Sequence, residues 1–309
     1  MTNEVKKIIA QKLEDYLSRQ SINARKFSAI SSVPENYISQ IRNGKDYVVS
    51  GDKNVPIKVR YYKLIAQTVG YQLEKDYWKT QQTPQFVQII NYLEDAKEYG
   101  YTNVLIGETG CGKSHISDIF VKYNVQEVFK VTVGSMDTIT DLLDKTCEVL
   151  NIDTAASKSR KIKEIISKLE NMRLDGHEPM IIFDEAEYLK QATLCNMKEL
   201  TDHLKGKAAI ILIGTSQLER KIDALRKKDK DGIPQFYSRI KLGIRHIRAI
   251  DTTFPDFTAE LEDQELVKFI QRYCTDYRQV HDLLVPVLRE ADRIKAPLTL
   301  DLVRKYHGI

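Results

Sequence analysis

The chain has 309 residues, of which 42% are hydrophobic and 29% charged, and a formal net charge of +4 at pH 7. This length accommodates two or three compact units with sizeable cores. No apolar run approaches the ~18–20 residues that a bilayer span requires, so neither a membrane-spanning class nor a membrane partner is expected. The opening Met1–Lys7 has no apolar stretch behind its basic pair, so no secretory signal is expected and the cytoplasm is the expected compartment. Cys111, Cys147, Cys195 and Cys274 stand far apart without a CxxC pair, which disfavours a zinc site and a disulfide framework.

The charge is unevenly placed. Residues 1–83 carry 14 lysines and arginines against 8 acidic residues, a net of +6, whereas residues 84–309 carry 33 against 35. A basic head on a near-neutral body suits contact with a polyanion, although a solubilising surface has the same signature.

In the first 70 residues, periodicity and turn chemistry predict short helices over Val5–Arg19, Ala24–Ser31, Glu35–Arg42 and Lys58–Val69. Turns fall at Val33-Pro34 and Asn43-Gly44-Lys45, and Asp46–Pro56 reads as a loop or short ribbon. The polar segment Tyr71–Thr83 closes a first domain, 1–83. From Pro84 onward, helices such as Ser159–Met172 alternate with apolar runs at Asn103–Ile106, Val128–Val133, Met180–Phe183 and Ala208–Ile213. Such runs predict buried parallel strands in a three-layer α/β core, 84–250. Beyond it, helices Glu260–Tyr273, Tyr277–Asp292 and Leu300–Lys305, with Thr275 and Thr299 as N-caps, predict a helical subdomain over 251–309.

Between the first strand and its helix lies Gly107-Glu108-Thr109-Gly110-Cys111-Gly112-Lys113-Ser114, which matches G-x-x-x-x-G-K-[ST] in its strand–loop–helix setting. Glycines at these positions let backbone N–H groups curl around a phosphate, the helix N-terminus adds partial positive charge, and Lys113 reaches the β- and γ-phosphates. Ser114 supplies a hydroxyl to Mg²⁺, and His115 in the first helical turn is counted with the ATP contacts. About 70 residues on, Met180–Phe183 runs into Asp184-Glu185, a Walker B pattern. Asp184 would hold Mg²⁺ through water and Glu185 would polarise the attacking water, which makes ATP hydrolysis the expected chemistry. The next strand ends at Gly214-Thr215-Ser216, where Thr215, or else Ser216, is placed to orient the same water.

With these motifs in this order, the chain resembles the AAA+ ATPases, and within them the phage Mu B transposition protein and related transposon target-selector ATPases. The resemblance implies an AAA+ P-loop core, a C-terminal helical lid and an N-terminal helix-turn-helix domain. It also implies two arginines acting on the γ-phosphate. Arg239, in Phe236-Tyr237-Ser238-Arg239-Ile240, resembles a finger inserted by a neighbouring subunit, with Arg245 and Arg248 as alternatives. Arg278, in Asp276-Tyr277-Arg278, resembles the sensor arginine of the lid. A trans-acting finger requires a homo-oligomer, ring or filament.

Phe27–Lys45 fits a helix-turn-helix, with Phe27, Ile30, Val33, Ile38 and Ile41 at the buried positions. Ser28 and Ser32 stand where the pattern usually has Ala and Gly. Asn36, Tyr37, Ser39, Gln40, Arg42 and Lys45 are then the candidate contacts to double-stranded DNA; a helical protein-docking module is the competing reading. The leading expectation is a mobile-element ATPase that assembles on target DNA and delivers it to a transposase. The rivals are a replication initiator or helicase loader, and an ATP-switched DNA-binding regulator.

Overall fold

The computed structural model describes residues 1–50, 53–71 and 77–309, which fall into two units, Met1–Lys79 and Thr80–Ile309. Gly51 and Asp52 of the expected ribbon, and residues 72–76 of the expected polar linker, lie outside the described residues.

In the first unit, α1 (Asn3–Arg19) starts where the Thr2 hydroxyl accepts from Val5 N, and α2 (Ala24–Ser31) where Asn23 Oδ1 accepts from Lys26 N. Three residues then turn the chain into α3 (Glu35–Arg42). The turn places Ser32 at φ 55°, a left-handed conformation that glycine adopts more cheaply. The strands β1 (Tyr47–Ser50) and β2 (Lys53–Pro56) pair as an antiparallel ribbon, and α4 (Val59–Val69) follows. Ile9, Leu13, Phe27, Val33, Ile38, Ile41 and Ile65 are buried together with Tyr62. Ile30 departs from expectation and is 43% exposed. The buried stripe of α2 runs instead through Phe27 and Ser31 at i, i+4 spacing, where the Ser31 hydroxyl donates to Phe27 O.

The second unit opens with α5 (Pro84–Tyr99), capped by Thr83, and continues through β3 (Thr102–Ile106), α6 (Lys113–Tyr123), β4 (Val128–Thr132), α7 (Ile139–Val149) and α8 (Lys158–Leu174). After β5 (Met180–Asp184) come α9 (Gln191–Leu204), β6 (Ala209–Gly214), α10 (Ser216–Lys227), α11 (Ile233–Ile240) and β7 (Ile244–His246). The five strands pair in parallel in the order β4-β5-β6-β3-β7. Side chains alternate across each strand. Val104, Ile181, Phe183, Ile210 and Leu212 pack with α7–α11 on one face, and Leu105, Met180, Ile182, Ala209 and Ile211 pack with α5 and α6 on the other. Burial on both faces explains why the strands read as apolar runs, and it gives a three-layer α/β fold.

Four helices complete the unit, α12 (Pro255–Thr258), α13 (Gln264–Tyr273), α14 (Tyr277–Ile294) and α15 (Leu300–His307). Two starts differ from expectation. Asp263 caps α13 by accepting from Glu265 N and Leu266 N, so that helix begins at Gln264 rather than Glu260. Asp276, not Thr275, caps α14 by accepting from Gln279 N; Thr275 instead donates its N–H and its hydroxyl to Gln279 Oε1. Thr299 caps α15 as expected.

Candidate nucleotide site

The C-terminal ends of β3, β5 and β6 meet along one edge of the sheet, where open α/β sheets bind their ligands. At that edge Gly107 N donates to Gly214 O at 3.1 Å, which seats the phosphate loop beside the end of β6. Gly110 at φ 78° and Gly112 at φ 91° give the loop its curl, and Gly112 is the residue before α6. Lys113 Nζ folds over the loop, donating to Gly107 O at 2.9 Å and Glu108 O at 2.6 Å. Inside the loop Cys111 is buried, and burial pushes its thiol up despite the opposing charge of Lys113. Thr109 and Ser114 are exposed, and Glu108 Oε2 accepts from Ile250 N at 3.3 Å. His115 also lies at this edge, with Nε2 3.1 Å from Thr80 Oγ1, and desolvation lowers its pKa.

Asp184 closes β5 with its side chain only 5% exposed. Its Oδ1 accepts from Glu185 N at 2.9 Å, and its Oδ2 lies 3.0 Å from Lys130 Nζ. Lys130 is the third residue of β4, inside the run Val128–Val133 that reads as apolar. It pairs in register with Ile182, so its long side chain reaches diagonally toward Asp184. Its Nζ also donates to Ser114 O at 3.1 Å and to Asp118 Oδ1 at 2.6 Å. The sequence signal for Lys130 is a lone lysine in a largely apolar run. Glu185 is exposed and left-handed at φ 55°, which turns its carboxylate away from the strand line. Thr215 N-caps α10, accepting from Gln217 N at 3.3 Å.

The first turn of α14 packs directly on the phosphate loop, so closely that a Cβ on Gly110 would overlap the Asp276 carboxyl group. Arg278, two residues on, lies in this same turn. Tyr277, between them, donates to Gln85 Oε1 at 2.7 Å, and Gln85 Nε2 donates to Ala249 O at 2.6 Å. Gln88 of α5 adds a second clamp, accepting from Arg248 N at 2.9 Å and donating to His246 O at 3.1 Å. Gln85, Gln88 and Tyr277 carry no mark in the sequence, because nothing local identifies a residue whose partner lies far along the chain.

Arg239 does not join this group. Its Nε and Nη2 are bound to the Asp202 carboxylate at 2.8 and 3.1 Å, and its Nη1 to Gln235 O and Ser238 Oγ. Arg245 donates to Leu242 O, whereas Arg248 is exposed and makes no ion pair among the described residues. In the first unit, Asn36 and Lys45 are exposed and Ser39 and Gln40 half-buried on α3 and its following turn. Lys45 Nζ lies 6.0 Å from the Tyr47 ring centre. Two others are engaged within the unit: Tyr37 stacks on Tyr61 at 4.5 Å, and Arg42 forms a two-pronged pair with Glu14 at 2.6 and 2.9 Å.

Residues 97–222 match the family model described as an AAA domain. Among solved structures, the Aeropyrum pernix ORC2 protein in its ADP form aligns at 16% identity with a TM-score of 0.54, over 75% of this chain and 70% of that one. The A. pernix ORC1 protein in complex with DNA aligns at 13% identity with a TM-score of 0.52, over 74% and 65%. Cdc6p from Pyrobaculum aerophilum aligns at 14% identity with a TM-score of 0.50, over 72% and 65%. Strand order, the Gly107–Ser114 loop and the family match agree that residues 97–222 form an AAA domain.

Proposed function

We propose that the chain is an ATP-hydrolysing, DNA-binding protein whose nucleotide state governs its assembly on double-stranded DNA, in the manner of a replication initiator or helicase loader. The observation that carries this reading is the meeting of Lys113, Asp184, Glu185 and Thr215 at one sheet edge, with the first turn of α14 packed on the phosphate loop. Such an arrangement links hydrolysis to movement of the helical lid.

In this reading the loop N–H groups and Lys113 hold the phosphates, and Glu185 accepts the proton of the attacking water. Thr215 orients that water, and Arg278 neutralises charge on the γ-phosphate. Ser114 and Asp184 offer hard oxygen donors, and among the described residues no group of three His, Cys, Asp or Glu could cage a metal. That donor set fits Mg²⁺ arriving with the substrate phosphates. When bound, Mg²⁺ would supply charge neutralisation at the transferring phosphoryl group. A trans-acting arginine needs a guanidinium able to leave its own subunit. Arg248 meets this more readily than Arg239, which would first have to release Asp202.

For the DNA partner, the support is the net +6 of residues 1–83 and the likeness to an ORC1 protein solved with DNA. The likeness to the ORC and Cdc6 proteins favours the initiator or loader reading over target delivery to a transposase, which rests on the resemblance to Mu B alone. Steady-state ATPase with and without duplex DNA tests the proposal. Stimulation by DNA that disappears in Lys113→Ala is expected; a rate indifferent to both would refute it.

A further inference from the structure

Asp184 is a carboxylate almost wholly removed from water, and such a group demands a cation, since an unpaired buried charge is strongly destabilising. The cation in place is Lys130. Its ammonium bridges Asp184 Oδ2, the Ser114 carbonyl and Asp118 Oδ1, and its side chain is only 12% exposed. Lys113 is engaged elsewhere, on the carbonyls of Gly107 and Glu108. Lys130 is therefore the lysine that ties the start of α6 to the end of β5, pairing with both Asp118 and Asp184 beside the phosphate loop.

We propose that Lys130 is a resident counter-ion of the metal corner, which lets the site take up a nucleoside triphosphate before, or without, a divalent cation. This rests on the reading of Gly107–Ser114 as the nucleotide site and deepens it. Two features support it. Asp184 already has both oxygens engaged, by Glu185 N–H and by Lys130, so the carboxylate is oriented by the chain's own groups. Asp118, 65% exposed on α6, gives the ammonium a second carboxylate to hold it at the corner while a metal shares Asp184. Lys130 is thus a positioning and charge-balancing residue that does not itself touch the reacting atoms.

The test compares ATP affinity by calorimetry in EDTA and in MgCl₂ for the wild-type chain, Lys130→Met and Lys130→Arg. Removing one unit charge from a partly screened site is expected to raise the ratio of the two dissociation constants about tenfold in Lys130→Met. Lys130→Arg, which keeps the charge, should retain the wild-type ratio. MgCl₂ alone should raise the melting temperature of Lys130→Met more than that of the wild type, because the metal then becomes the only cation for Asp184. Equal ratios in the wild type and Lys130→Met would overturn the inference while leaving the nucleotide site intact. A wild-type chain that binds no ATP even with MgCl₂ would overturn the site and the inference together. If Lys130→Met does not fold, Lys130→Gln provides the same comparison with a neutral donor.

Discussion

Glu185 holds a left-handed backbone at φ 55° directly after a strand that is buried throughout. A non-glycine residue in that region costs on the order of 1 kcal/mol, which the surrounding turn offsets with Tyr188 N donating to Glu185 O. The geometry frees the carboxylate from the sheet while Asp184 stays locked behind it. If Glu185 is the base, Glu185→Gln removes a contribution of roughly 10²–10⁴-fold to turnover and leaves ATP affinity intact. Turnover measured beside equilibrium ATP binding checks this, and an unchanged kcat would exclude Glu185 from the chemistry. Lys113, Asp184 and Glu185 are legible in the sequence because each belongs to a short local pattern. Lys130 is not, since a lysine in an apolar strand acquires meaning only when the neighbouring strand brings Asp184 beside it.

At the scale of elements, the clasp between α5 and α14 is the feature least visible in sequence. The four long strands can be read because each carries a run of apolar residues that pack into the core. The short β7, with Arg245 and His246 in three residues, has no such signature and escapes a reading by apolar runs. The start of α14 is ambiguous by one residue because Thr275 and Asp276 are both good caps and only the fold decides between them. Tyr277 then joins α14 to Gln85 of α5, and burial pushes its phenol up to about 12. Because the folded pKa is raised, this stabilisation is complete below the unfolded value near 10 and disappears as pH rises toward 12. Tyr277→Phe is therefore expected to cost about 1 kcal/mol at neutral pH through the missing hydrogen bond. The difference from the wild type should shrink between pH 10 and about 12. Urea unfolding across that range measures it, and a constant difference would place the phenol outside the clasp.

For the whole molecule, the separation of charge between a basic first unit and a near-neutral second one is the property on which the proposed contact with DNA rests. Of the six contacts that the sequence suggests, Arg42 and Tyr37 are already bound to Glu14 and Tyr61. These two side chains brace α3 against α1 and α4, leaving Asn36, Ser39, Gln40 and Lys45 as the groups available to a duplex. Phosphate contacts and base contacts respond differently to salt and to sequence. Lys45→Ala in the full chain is expected to weaken duplex binding uniformly and to reduce the slope of log K against log salt by about one. Asn36→Ala with Gln40→Ala should leave that slope unchanged and flatten any sequence preference, at roughly 1–3 kcal/mol for each side chain that reads a base edge. Titrations of two duplexes at several salt concentrations distinguish the two effects. If Lys45→Ala leaves slope and affinity unchanged on both duplexes, DNA is held elsewhere, and the first unit is then better read as a protein-docking module whose charge serves solubility.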